Sequence, residues 1–357
     1  MKTAIVGLPM IGKTSLFTIL TGAHESGRLG SMEIRQGVTR VPDARLEALA
    51  RVFEPHKVIH ATLEYLDFPS ISKESLANLQ FLASLRVADA LAHVVRVFSS
   101  PSVPHELGSV DPHRDIRHID DELILSDLVV VEKRMERLEK DRKKIKDAGL
   151  DREYELLVEA KARLEGNLPL RGWALSPDDD KRLRGFQFLS QKPMLIVLNL
   201  GEDDAPNLHE VEARYREQLL VGREDCHLTA ICGNIEADLA AMPPEEAKEF
   251  LSSYGLRESG MERLIQATYR VNGLMSFLTA GEDEVRAWTV PIHSIAQKAA
   301  GAIHSDFEKK FIRAEVVNWK DLVDLNGYAG VREKGLLRLE GKEYIVKDGD
   351  VLVIRHG

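Results

Sequence analysis

The run Gly7-Leu8-Pro9-Met10-Ile11-Gly12-Lys13-Thr14 constrains the fold more than any other part of this sequence. It fits G-x-x-x-x-G-K-[ST], follows the short apolar run Thr3-Ala4-Ile5-Val6, and leads into Ser15 to Leu20, whose apolar spacing suits a helix. The expected unit is therefore strand, tight loop, helix. Glycine lets such a loop turn its backbone N–H groups inward, and the helix N-terminus adds partial positive charge at the same spot. Phosphate groups suit that environment, so Pro9, Met10, Ile11, Gly12, Lys13, Thr14 and Ser15 are the candidate phosphate-binding residues. Lys13 would act as a point charge on the β- and γ-phosphates, and the Thr14 hydroxyl as a ligand of Mg²⁺. The plainer alternative is a glycine-rich turn that binds nothing.

Further apolar runs at Ala61 to Asp67, Ala90 to Phe98 and Pro193 to Asn199 read as strands covered on both faces, which predicts an α/β core with a mostly parallel sheet. With 357 residues, two or three domains are expected. No stretch reaches the roughly 18–20 uninterrupted apolar residues of a membrane span, and no signal peptide is read, so a cytoplasmic protein without a membrane partner is expected. Cys226 and Cys232 are the only cysteines, too few to build a cysteine metal site. The formal net charge of −9 argues against coating nucleic acid by bulk charge. Any polyanion contact must be regional, and no recognition of DNA sequence is expected.

Between the third and fourth strands lies a charged stretch with little glycine or proline. Leu128, Val131, Met135, Leu138 and Ile145, then Tyr154, Leu157 and Leu164, follow three-four spacing with Gly149 between the sets, which predicts a helical hairpin. Its first arm carries Lys133, Arg134, Arg137, Lys140, Arg142, Lys143, Lys144 and Lys146 among acidic residues. A solvated, ion-paired face and an RNA- or ribosome-contacting arm are both open. Past Met275, short β-rich pieces at Val285 to Val290, Ile312 to Val317, Leu336 to Leu339, Tyr344 to Val346 and Val351 to Ile354 predict a small mixed β domain.

Three further positions bear on chemistry. Asp67, ending the second strand, stands where a nucleotide-binding sheet holds its metal, although an aspartate there also serves as a cap. The run after it, Phe68-Pro69-Ser70, lacks the glycine N–H of a D-x-x-G γ-phosphate sensor. After the fourth strand the chain reads Asn199-Leu200-Gly201-Glu202 in place of N-K-x-D. A glutamate differing in reach would make the paired bonds to guanine poorly, so guanine preference is not supported. Thr229-Ala230-Ile231 could close over a base through backbone groups.

Taken together, Gly7-Leu8-Pro9, Gly12-Lys13-Thr14, Val41-Pro42-Asp43-Ala44-Arg45-Leu46, His93-Val94-Val95-Arg96, Val110-Asp111-Pro112, Asn199-Leu200-Gly201-Glu202 and the run from Ala280 through Lys309 to Val351 resemble the YchF, or Obg-like ATPase, family over essentially the whole chain. The resemblance implies a P-loop NTPase with a Rossmann-like sheet, an inserted hairpin and a C-terminal TGS (ubiquitin-like) domain. The corresponding boundaries are 1–121 and 169–274 for the nucleotide-binding domain, 122–168 for the hairpin and 275–357 for TGS. It further implies ATP rather than GTP as ligand, with Asn199 and Glu202 matching the family's base loop; together with Leu200, Thr229, Ala230 and Ile231 they are the candidate base-binding residues. Mg²⁺ would be held by Thr14, Ser31 and Asp67, with His93 as catalytic residue and the ribosome or RNA as partner of a monomer. Glu33 and Gly37 also match. Against the family pattern, Met10 replaces an asparagine, and the segments Ala23 to Gly30 and Pro69 to Asn78 are shortened. Slow ATP hydrolysis is the expectation; a nucleotide-binding adaptor without turnover and a GTPase are the alternatives.

Overall fold

Near-continuous apolar runs do become interior strands in the computed structural model, which describes residues 1–22, 33–223 and 225–357, the side chains of Lys73 and Leu79 excepted. The described strands in chain order are β1 (Lys2–Val6), β2 (Arg35–Arg40), β3 (Lys57–Ile59), β4 (Thr62–Asp67), β5 (Ala90–Arg96), β6 (Met194–Asn199), β7 (Cys226–Ile231), β8 (Leu274–Ala280), β9 (Glu284–Pro291), β10 (Phe311–Asn318), β11 (Arg338–Glu340) and β12 (Asp350–His356). The chain divides into two compact units, Met1–Gly37 with Glu64–Ala267 and Val38–Leu63 with Thr268–Gly357.

The first unit is built on a sheet of order β2-β4-β1-β5-β6-β7. β1 pairs in parallel with β4 and β5, β5 with β6, and β6 with β7. Every residue of β5 and β6 is buried, as expected of strands covered on both faces. From β1 the chain adds strands first on one side and then on the other, so the strand order reverses between β1 and β5. In open α/β sheets a crevice forms at such a reversal, outside the carboxyl ends of the strands. Gly7, Asp67 and Asn199 all lie at that edge.

Helices Pro112–Arg142 and Ala148–Glu165 form the hairpin of this unit. Val131, Leu138, Leu156, Leu157, Ala160 and Leu164 make its buried seam, with Leu128, Met135 and Tyr154 packed against it. Two expectations need correction. Ile145 is 59% exposed rather than on the apolar seam. Gly149 does not separate the arms: the break comes earlier, at Asp147, whose carboxylate caps the second helix by accepting the Gly149 N–H at 2.6 Å. Arg134–Glu153, Arg142–Asp151 and Lys161–Glu132 ion pairs join the arms, while Lys133, Arg137, Lys140, Lys143, Lys144 and Lys146 are exposed.

The second unit has a mixed sheet of order β11-β10-β12-β8-β9-β3. β8 pairs antiparallel with β9 and parallel with β12, β10 pairs antiparallel with β11 and β12, and β3 joins β9 in parallel. Phe277, Val316, Leu352, Ala296 and Ala299 lie in its core. Tyr344 to Val346, read from sequence as a strand, contributes only an isolated bridge between Ile345 and Ile295. Helix Ala44–Phe53 belongs to the same unit. Its N-cap Asp43 accepts from the Arg45 N–H at 3.0 Å, and the Arg45 guanidinium reaches Asp348 at 2.8 Å. Among the described residues no helix is long and apolar enough to cross a membrane.

Candidate functional site

The loop after β1 turns because its residues accept left-handed backbone. Gly7 has φ +144° and Gly12 φ +94°. A Cβ on Gly7 would lie 2.6 Å from the Val94 carbonyl, and one on Gly12 would lie 2.7 Å from Asn199 Nδ2. Both positions therefore require glycine for space as well as for conformation. Met10 also takes a positive φ of 54° and is 49% exposed. Pro9 has no N–H, so inward-facing donors come from the residues after it, up to the start of helix Lys13–Thr21.

Lys13 is 8% exposed, and its amine donates to Leu8 O at 2.6 Å, Gly7 O at 3.1 Å and Ser70 Oγ at 3.2 Å. Burial pulls its pKa down to about 8, with the Asp67 charge opposing the shift. The Ser70 that stands in place of a sensor glycine thus meets the loop lysine through its hydroxyl. Thr14 Oγ1 donates to Asp67 Oδ2 at 3.3 Å, and the Arg35 guanidinium forms an ion pair with the same oxygen. Asp67 Oδ1 is buried without a hydrogen-bond partner. An orphaned buried carboxylate oxygen beside a threonine hydroxyl is a donor set that suits a hard divalent cation. Ser31 lies outside the described residues.

At the neighbouring strand end, Asn199 is a brace. Its Nδ2 donates to Ile11 O and its Oδ1 accepts from the Gly233 N–H, each at 3.0 Å. Its own carbonyl accepts from the backbone N–H groups of Val97 and Phe98 at 2.9 and 3.1 Å. Leu200 is buried and donates its N–H to Ile231 O at 2.8 Å. Glu202 is exposed and accepts from Asn234 Nδ2 at 2.7 Å.

Thr229, Ala230 and Ile231 are buried within β7. The Ala230 N–H is taken by Glu212 at 3.0 Å and its carbonyl by Arg263 at 2.8 Å. The groups at the mouth come instead from the start of the following helix, Gly233 and Asn234, and from Phe98, which lies close to Gly201. Sequence reasoning does not single these out, although Gly233, two residues past the end of β7, is a glycine near a strand end as Gly7 is. The Phe98 ring is backed by the Arg96 guanidinium, 4.3 Å from its centroid, and Arg96 is fixed by Phe98 O at 3.0 Å and Val103 O at 2.9 Å.

His93 sits in β5 opposite Val6, 1% exposed, with neither ring nitrogen hydrogen-bonded. Burial drives its pKa down to about 3, only partly opposed by the charge of Asp120, so the ring is neutral at physiological pH. Asp120 is itself tied to Arg171 at 2.9 Å and to Arg223.

The family described as YchF-GTPase_C, a protein of unknown function, matches residues 274–357. The chain is 40% identical over 366 residues to the ribosome-binding ATPase YchF of Bacillus subtilis (strain 168), covering 99% of both proteins. It is 39% identical over 361 residues to the protein of that name from Escherichia coli O157:H7, covering 98% of both. The structure of the Schizosaccharomyces pombe YchF GTPase superposes with a TM-score of 0.84 at 28% identity, covering 99% of this chain and 97% of that one. Because the likeness covers nearly the whole length of both proteins at 40% identity, the chain belongs to the YchF family.

Proposed function

We propose that this protein binds ATP with Mg²⁺ at the Gly7–Thr14 loop, hydrolyses it slowly, and associates with the ribosome. The observation that carries the reading is the convergence of Lys13, Thr14 and Asp67 at one strand edge, with Asp67 Oδ1 buried and unpartnered. Amides from Met10 to Thr14 would hold phosphate oxygens, and the Lys13 amine would exchange its carbonyl partners for the β- and γ-phosphates. Thr14, Asp67 and Ser31 would hold Mg²⁺, which supplies neutralisation of the charge that develops on the transferring phosphate. The base would lie against Phe98 and Asn199, with the Asn234–Glu202 pair at the rim. Adenine rather than guanine is supported by the absence of an aspartate in the Asn199–Glu202 loop and by the relatives' name, ribosome-binding ATPase. That name, and the exposed lysines of the hairpin, support ribosome association.

A second reading, a nucleotide-binding adaptor without turnover, is favoured by one observation: His93 is sealed in the sheet and uncharged. Calorimetric titration of ATP and GTP with Mg²⁺ tests the ligand, and phosphate release tests turnover. The first reading expects ATP binding with release abolished by Lys13→Ala; binding without release selects the adaptor, and a clear GTP preference overturns the adenine assignment.

A further inference from the structure

Asp67 Oδ2 carries two partners at once. Thr14 Oγ1 donates to it at 3.3 Å, and the Arg35 guanidinium, from the first residue of β2, pairs with it ionically. The pair is sheltered: the Arg35 side chain is 24% exposed and the Asp67 side chain 6%. The guanidinium also lies 5.3 Å from the centroid of the Phe17 ring, on the helix that follows the phosphate loop. Lys13 does not serve this carboxylate by hydrogen bonding, since its amine is turned to Gly7 O, Leu8 O and Ser70 Oγ. Among the described residues Arg35 is thus the cation in hydrogen-bonding contact with a nearly buried carboxylate, and an unpaired buried carboxylate is costly.

The same carboxylate, with Thr14, is where the proposed function places Mg²⁺, and this inference rests on that reading. In the arrangement described here the Thr14 hydroxyl donates toward Asp67, whereas a metal ligand must turn its lone pair to the cation. The unpartnered Oδ1 is the oxygen open to the cation, but a guanidinium left on Oδ2 of the same carboxylate would stand beside the dication and repel it. We propose that Arg35 is a built-in counter-ion for Asp67, holding the carboxylate in the metal-free protein and leaving it when Mg²⁺ binds. Metal binding and the release of the first residue of β2 are then one event, and Arg35 sets the Mg²⁺ concentration at which nucleotide is gripped tightly.

The test measures the affinity of the full chain for a fluorescent ribose-labelled ATP across a Mg²⁺ series and reads the Mg²⁺ midpoint of the affinity gain. Arg35→Ala lowers the midpoint by about tenfold, the size expected from losing one charge-assisted hydrogen bond. Arg35→Lys, which keeps the charge but not the planar fork, falls between. Arg40→Ala changes net charge equally at an exposed position of the same strand and leaves the midpoint in place. In an Asp67→Asn background the Arg35→Ala shift disappears. Thermal melting confirms that each variant is folded, and Arg35→Gln replaces Arg35→Ala or Arg35→Lys if either is not. A midpoint that is unchanged or raised in Arg35→Ala, or that shifts equally in Arg40→Ala, overturns the counter-ion role while leaving the metal site standing. If Asp67→Asn retains the full Mg²⁺ dependence, the metal site itself is wrong and the counter-ion role falls with it.

Discussion

Asn199 donates its side-chain N–H to the carbonyl of Ile11 at 3.0 Å, fastening the end of β6 to the phosphate loop. The other end of the amide accepts from the Gly233 N–H at 3.0 Å, so one side chain joins three segments of the site. Asn199→Ala removes both bonds at a buried position and should cost roughly 2–3 kcal/mol in chemical denaturation, with weaker nucleotide binding. Asn199→Asp should be worse, because a carboxylate would face the Ile11 carbonyl. A variant with unchanged stability and affinity would remove the bracing role.

Lys13 makes the apo protein less stable than it need be. Its folded pKa of about 8 lies below the ordinary 10.5, so the folded state binds fewer protons between those values and stability rises with pH through that window. Below pH 8 the full cost is present. Lys13→Met should therefore stabilise the nucleotide-free protein by roughly 1–3 kcal/mol at pH 7, the gain shrinking as pH approaches 10.5, while abolishing phosphate binding. Denaturation curves at pH 7 and pH 9.5 check the trend.

His93 gives a handle of the same sign in acid. With a folded pKa of about 3 against an ordinary 6.5, protonation is tolerated by the unfolded chain only, so stability falls as pH drops below 6.5. His93→Leu should remove roughly 2 kcal/mol of the loss seen between pH 7 and pH 5. If the wild type and the variant lose stability in parallel over that range, the ring is not buried in the neutral form.

Asp120 is held by two guanidiniums. Burial pushes its carboxyl up, but Arg171 and Arg223 outweigh that and keep it below the usual carboxylate range. Asp120→Asn leaves Arg171, itself 4% exposed, without its counter-charge, and should destabilise by about 3–5 kcal/mol. Urea denaturation measures it, and Asp120→Glu should recover only part.

How much of this was legible in the sequence depends on how local the cause is. Gly7, Gly12, Lys13 and Thr14 announce themselves because a strand, a loop with φ-positive positions and a helix are consecutive, and Asp67 because a strand stops there. The Arg35–Asp67 pair joins residues 32 positions apart, and nothing in the local pattern around Arg35 sets it apart from the exposed Arg40. Strand β3 escaped notice because three residues, Lys57 to Ile59, have no alternation to read and acquire their identity only by pairing with β9. Thr229 to Ile231 were legible as a strand but not as backbone already engaged by Glu212 and Arg263. Ser70 read as a lost glycine, while its hydroxyl in fact meets Lys13, a contact only the folded loop reveals.

The family match begins at residue 274, whereas the sheet it belongs to recruits Lys57–Ile59 as its outermost member. A tail fragment expressed from Leu274 onward would leave the free edge of β9 to the solvent, along with the apolar surface that helix Ala44–Phe53 covers through Phe53 and Tyr328, whose rings sit 5.5 Å apart. Bare edges of that kind invite strand exchange between molecules. Excision is best done by keeping residues 38–63 joined to the tail through a designed linker, so that the piece removed from the chain is one the chain itself treats as whole.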